Sequence, residues 1–134
     1  MPLLNDGRVS VDVAANKTLV AADSGIVQNV TVDGVVITLP STADGLSFTI
    51  RNAGDAPTGA AAGTGADGSA AVSVSPAAAD GITGNGFTAA NNKDAINTKA
   101  TSKVGDEITV NGNGTAGVTA WTITSIRGTW AREA

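Results

Sequence analysis

The sequence predicts an all-β fold, a small antiparallel β-sandwich or jelly-roll-like barrel with long Gly/Ala-rich loops. Three observations carry that expectation: apolar and polar residues alternate over short runs, helical periodicity is nearly absent, and Asp-Gly pairs punctuate the chain throughout. About eight to ten short strands are expected.

Val9-Ser10-Val11-Asp12-Val13 is the first alternating run, and Leu46-Ser47-Phe48-Thr49-Ile50-Arg51-Asn52 is the longest of the clear ones. In the latter, Leu46, Phe48 and Ile50 point one way and Ser47, Thr49 and Arg51 the other, as in a half-buried strand. Val72-Ser73-Val74-Ser75 and Ile108-Thr109-Val110 repeat the pattern. Between the first two runs, "IVQNVTVDGVVITLP" reads as a hairpin, because Asp33-Gly34 suits a two-residue type I′ turn. Pairing outward from it sets Val32 opposite Val35, Val30 opposite Ile37 and Gln28 opposite Leu39, and Pro40 ends the second strand. The β-branched run Val118 to Ile126, which contains Trp121, supplies a further strand.

Two stretches resist strand assignment. Residues 53–70, "AGDAPTGAAAGTGADGSA", offer almost nothing to bury and read as a long mobile loop or insertion. Residues 76–92 resemble them but carry Ile82 and Phe87, which can pin the segment to the body. The one helix-compatible piece, Asn91 to Ala95, allows a turn or two at most. The expected organisation is an N-terminal arm over residues 1–12 and a single β domain over 13–134.

At 134 residues the chain fits one domain that buries about two-thirds of its unfolded surface. The core must be lean: aromatics make up 3% of residues, and much of the 42% hydrophobic fraction is Ala. Net charge is -4 and the eight Lys and Arg are scattered, so a nucleic-acid partner is not expected. Without Cys there is no disulfide or thiolate, and without His the commonest general base at neutral pH is gone. No apolar run is long enough for a signal peptide or a membrane span, so a soluble protein made in the cytoplasm is expected, unless it is carried out on a larger particle.

Several patterns invite a chemical reading. Gly112-Asn113-Gly114-Thr115-Ala116-Gly117 satisfies the G-x-G-x-x-G pattern, but a β-branched run follows instead of the helix whose N-terminus would face a pyrophosphate. The same pattern recurs at Gly63 to Gly68 by composition alone, so the glycines are expected to turn one strand into the next. The Asp-Gly pairs lack the ordered spacing of a calcium loop and read as turns. Asp106-Glu107 is the only adjacent acidic pair, and strand neighbours point to opposite faces. No catalytic, metal or cofactor site is expected. Lys93, Lys99 and Lys103 share a face if their segment is extended throughout. There they either meet an acidic partner or form a solvated edge that resists aggregation, and the second reading is preferred. Trp121 reads as core, whereas Trp130 either closes the end of the fold or anchors an interface.

The order of "ITLPSTADGLSFTIRNAG" (37–54), "VSVSPAAADGI" (72–82), "NTKATSKVGDEITVNGNG" (97–114), a Trp strand and "IRGTW" (126–130) resembles small phage virion proteins, especially head decoration (cement) proteins. That resemblance implies a structural, non-enzymatic protein on the outer capsid surface of a virion. Its implied partners are the major capsid protein of a phage and further copies of itself, commonly as a homotrimer, with no cofactor, nucleic acid or membrane. Candidate capsid or subunit contacts are then Leu3, Leu4 and Arg8 in the arm, Lys93, Lys99 and Lys103, and Arg127, Trp130 and Arg132 near the end. The arm has a second reading as a frayed end. A tail-fibre or adhesin-like module recognising a glycan or cell surface is the rival function, although few aromatics are present to stack on sugars.

Overall fold

Alternation decides which side chains of a strand turn inward, but it leaves open which strand lies alongside. The computed structural model, which describes Leu4 and residues 7–54 and 70–134, resolves that choice in an unexpected way. Among the described residues eleven strands form two sheets: β1 (Ser10–Val13), β2 (Lys17–Thr18), β3 (Val27–Val30), β4 (Val35–Thr38), β5 (Ser47–Asn52), β6 (Val72–Ser75), β7 (Ile82–Thr83), β8 (Ala95–Asn97), β9 (Glu107–Gly112), β10 (Trp121–Arg127) and β11 (Trp130–Arg132). The six-stranded sheet has the order β1-β3-β5-β9-β10-β7, and the five-stranded sheet β11-β8-β6-β4-β2. Among the described residues there is no α-helix, only a 3-10 turn at Ala21–Asp23, so Asn91 to Ala95 is not helical.

From β1 to β6 each strand crosses to the opposite sheet, so the chain winds through three coils and strands two apart in sequence become parallel neighbours. Five of the nine strand pairings among the described residues are parallel, which corrects the expectation of an antiparallel fold. The hairpin at Asp33-Gly34 is corrected with it: Val30 pairs with Val13 and Asn52, and Ile37 with Lys17 and Val74. Gly34 does adopt φ 82°, yet Asp33 is not in the left-handed region that a type I′ turn requires. The Asp33 carboxylate instead accepts the Ala71 N–H at 2.8 Å, and Gly34 N–H donates to the Ala71 carbonyl at 3.0 Å. Tying the turn to the next coil turns a hairpin into an arch between sheets. Val30, Val35 and Ile37 still face inward, because strands on opposite sheets meet across the core as well as hairpin strands meet side by side.

The later strands close the coils. β9 pairs antiparallel with β5 and β10, while β8 pairs antiparallel with β6 and β11. Inward residues of both sheets form one core around Phe48 and Trp121, whose rings lie 5.6 Å apart and tilted. Each fully buried Val, Leu or Ile contributes about 1.5–3 kcal/mol. Trp121 is core as expected, and Ile82 and Phe87 do fix the segment after β6. β10 carries Ile123 and Ile126 three apart, a spacing that a regular strand cannot bury on one face. A bulge at Thr124 absorbs the extra residue, since Ile123 opposes Val110 and Ser125 already opposes Thr109. It brings both isoleucines to the core and turns Arg127 outward. Ser10 to Asp12, the end of the expected arm, belong to the sheet through β1. Leu3 and most of the expected 53–70 loop lie outside the described residues.

Candidate functional site

The G-x-G-x-x-G segment joins the antiparallel strands β9 and β10 and no helix follows it, so it turns the chain as expected. Asn113 organises the turn by donating to the Thr119 carbonyl at 2.7 Å and accepting the Thr115 N–H at 2.8 Å. Gly112 is required for a different reason. A Cβ there would press on the Ala43 carbonyl and on Thr42 Oγ1.

The sheets share two ends. β1, β3, β5 and β8 finish at what we term the upper end, where β4, β6, β9 and β11 begin. Three polar side chains stand there on the inward parity: Asn52 after Phe48 and Ile50, Asn97 after Ala95, and Asp106 before Ile108 and Val110. All three are buried. Asn52 Nδ2 donates to Asn97 Oδ1 at 2.7 Å and to the Ala70 carbonyl at 3.0 Å, and Asn52 Oδ1 accepts the Gly54 N–H at 2.8 Å. Asn97 Nδ2 donates to Asp106 Oδ2 at 3.1 Å and to the Thr129 carbonyl at 3.0 Å. Asp106 Oδ2 also accepts the Lys103 N–H at 2.9 Å. One connected strut therefore ties both sheets to three loop bases: the segment after β5, the turn 98–106 and the turn between β10 and β11. A satisfied buried network of this kind rigidifies what it joins. Gly128 completes it, with φ 88° and the Asp106 carboxyl lying where a Cβ would stand.

Asp33 makes a second tie at the same end. Besides the Ala71 N–H it accepts Lys99 Nζ at 2.7 Å, and these hydrogen bonds, the backbone one foremost, hold its carboxyl below the usual range. On the outer face of the six-stranded sheet, one register row reads Asp12, Asn29, Arg51, Glu107, Arg127. Asn29 bridges Asp12 at 3.0 Å and Arg51 at 2.8 Å.

The candidate contact residues divide by location. Arg8 reaches across β3 and β5 to a bidentate pair with Glu107, both bonds 3.0 Å, so its charge is matched within the chain. Lys99 and Lys103 lie at the upper end with Arg127, and neither Lys103 nor Arg127 forms an ion pair among the described residues. Lys93 lies before the other end of β8 and donates to the Ala134 carbonyl at 2.6 Å. The three lysines thus do not share a face, since the chain is extended only over β8 and then turns. Arg132 and Leu4 are half-buried, away from the upper end. Trp130 is 6% exposed and donates its indole N–H to the Arg127 carbonyl at 2.9 Å, which makes it the closing core residue and not an exposed anchor.

The lower end is tied by Thr42 and the buried Asp80 together with close backbone packing. Thr42 links the loops 39–46, 76–81 and 113–120 by donating its N–H to Asp80 at 3.0 Å and its hydroxyl to the Ala120 carbonyl at 2.8 Å. Gly81 is packed against the Ala90 and Val118 backbone with no room for a Cβ. Among the described residues no group of three or more His, Cys, Asp or Glu converges as metal ligands, and no helix is long and apolar enough to cross a membrane. Comparison with family models, curated proteins and solved structures finds no match.

Proposed function

We propose that this protein is a non-enzymatic decoration protein that binds the outer surface of an assembled phage capsid and bridges neighbouring capsid subunits through its upper end. The observation that carries the reading is the combination found there. Lys103, on the turn 98–106, and Arg127, at the end of β10, are cations without an internal ionic partner among the described residues, and they stand beside the Asn52, Asn97 and Asp106 strut in a chain of net charge -4. Rigid loops lose little entropy on docking, and cations on an acidic protein favour an acidic partner surface. The capsid as that surface rests on the sequence resemblance. In this reading the two sheets are the layers of a β-sandwich, and the partners are the major capsid protein and further copies of the chain.

The mechanism is linkage. A protein that binds the assembled shell and not its free subunits stabilises the shell, by about 2.7 kcal/mol per site when present at a hundred times its Kd. Incubation with undecorated shells tests this: co-sedimentation and a rise in shell heat resistance are expected. Failure of both overturns the proposal, and a positive glycan array with no shell binding would assign the protein to the tail-fibre or adhesin class.

A further inference from the structure

Asparagine followed by glycine is open to a reaction that needs no enzyme. The next backbone nitrogen can close a five-membered ring on the side-chain carbonyl carbon, and glycine has no Cβ to hinder the approach. The sequence holds three such pairs, Asn85-Gly86, Asn111-Gly112 and Asn113-Gly114. The fold restrains two of them. Asn111 lies within β9, paired with Ser47 on one side and Thr122 on the other; its Oδ1 accepts the Ser47 hydroxyl at 2.8 Å, and the Gly112 N–H donates to the Leu46 carbonyl at 2.9 Å. Asn113 uses both ends of its amide, donating to the Thr119 carbonyl at 2.7 Å and accepting the Thr115 N–H at 2.8 Å, while the Gly114 N–H donates to Thr42 Oγ1 at 3.3 Å. Asn85 differs on each count. Both it and Gly86 are exposed, and among the described residues neither the Asn85 amide group nor the Gly86 N–H has a hydrogen-bond partner. The turn that carries them is closed by the Phe87 N–H on the Gly84 carbonyl at 2.9 Å.

We propose that Asn85 is a self-modifying site, which the folded protein converts to an acidic residue while it keeps Asn111 and Asn113 as amides. A base from solvent takes the Gly86 amide proton, and the nitrogen attacks Asn85 Cγ. The new N–Cγ bond closes a succinimide, the Cγ–Nδ2 bond breaks, and ammonia leaves. Water then opens the ring. Attack at Cγ gives aspartate, and attack at the backbone carbonyl gives isoaspartate, in which the chain runs through Cβ and Cγ. In sum an amide and a water become a carboxylate and an ammonium ion, with nothing oxidised or reduced. The turn has to open to bring the Gly86 nitrogen onto Cγ, and opening an exposed two-residue turn lies at the low end of a fold's stability range. At Asn111 and Asn113 further hydrogen bonds must break first, each slowing the reaction by a factor of about 2 to 10. The product lowers the net charge of -4 by one, in a turn packed beside Ile123 at the edge of the six-stranded sheet. Isoaspartate also lengthens the backbone between Gly84 and Phe87, which takes their hydrogen bond out of register and loosens Phe87 from the core.

Peptide mapping by mass spectrometry, after incubation of the full chain in mildly alkaline heavy-oxygen water, tests the proposal. Asn85 is expected to gain the amide-to-acid mass shift with one solvent oxygen, as a mixture of isoaspartate and aspartate. Its rate is expected to exceed those of Asn111 and Asn113, resolved by fragmentation, at least about tenfold. In denaturant the three rates are expected to converge, because the restraint on Asn111 and Asn113 belongs to the fold. Asn85→Gly, whose glycine accepts the left-handed turn, is expected to remove the early acidic species from the folded protein with melting unchanged. Should it fail to fold, Asn85→Gln, whose amide carbon lies one atom too far for the five-membered ring, replaces it. An Asn85 that stays an amide, equal rates at the three sites in the folded chain, rates that stay apart in denaturant, or early acidic species that persist in the variant would overturn it.

Discussion

The two ends of the molecule are held by different means. At the lower end backbone approaches backbone at two glycines, Gly81 against Ala90 and Val118 and Gly112 against Ala43, with Thr42 bonded to Asp80 and the Ala120 carbonyl beside them. At the upper end two amides and a carboxylate join loop bases that would otherwise be separate. Glycine contacts fix shape but present no chemistry. A side-chain strut fixes shape from inside and leaves the outward side chains around it, Lys103 on its turn and Arg127 at the end of β10, available for contact.

That contrast can be broken from either side. The largest effect is expected for Gly81→Val, whose branched side chain has to displace backbone of two loops; a loss of several kcal/mol is expected, about 3 or more, read by chemical denaturation. Asn97→Ala leaves Asn52 Nδ2 and Asp106 short of a partner at about 1–3 kcal/mol each, and is expected to cost about 3 kcal/mol while also weakening shell binding. Opposite pH responses come next. Folding lowers the Asp33 pKa, so its stabilisation is present above the unfolded-state value of 3.8 and is lost as pH falls through the lower folded value. Burial raises the Asp94 pKa, so that group favours the folded state below 3.8 and loses this contribution as pH rises through its higher folded value. Asp94→Asn is therefore expected to raise the melting temperature at pH 7 with no gain at pH 3, and Asp33→Asn to lower it at pH 7 with a shrinking penalty in acid. The smallest stability effect is expected for Lys103→Glu with Arg127→Glu: an unchanged melting curve with loss of shell co-sedimentation.

Sequence pattern carried the inward faces of the strands and much less of their pairing. Phe48, Ile50, Val72, Val74, Ile108 and Val110 are all buried where alternation placed them. The neighbours of β3 and β4 were hidden because Asp33-Gly34 suits both a hairpin and an arch, and the deciding partners, Ala71 and Lys99, lie far along the chain. A true two-residue turn occurs at Asn85-Gly86, with φ 50° and 79° and Phe87 N–H bonded to the Gly84 carbonyl at 2.9 Å. Its Asn-Gly signature was legible, though inside a segment read as loop. The strut was legible in part. Asn52, Asn97 and Asp106 each extend an apolar alternation with a polar residue, which signals a buried polar group; that the three converge depends on strand order and could not be read locally. Trp130 is buried for a related reason, since β11 pairs with β8 and so sets Trp130 beside Asn97.

Hydrogen exchange of the shell-bound protein tests the assignment of the contact most directly. Added protection is expected in residues 98–106 and 127–129 at the upper end, with 113–120 at the lower end unchanged. Protection confined to 113–120 would contradict it.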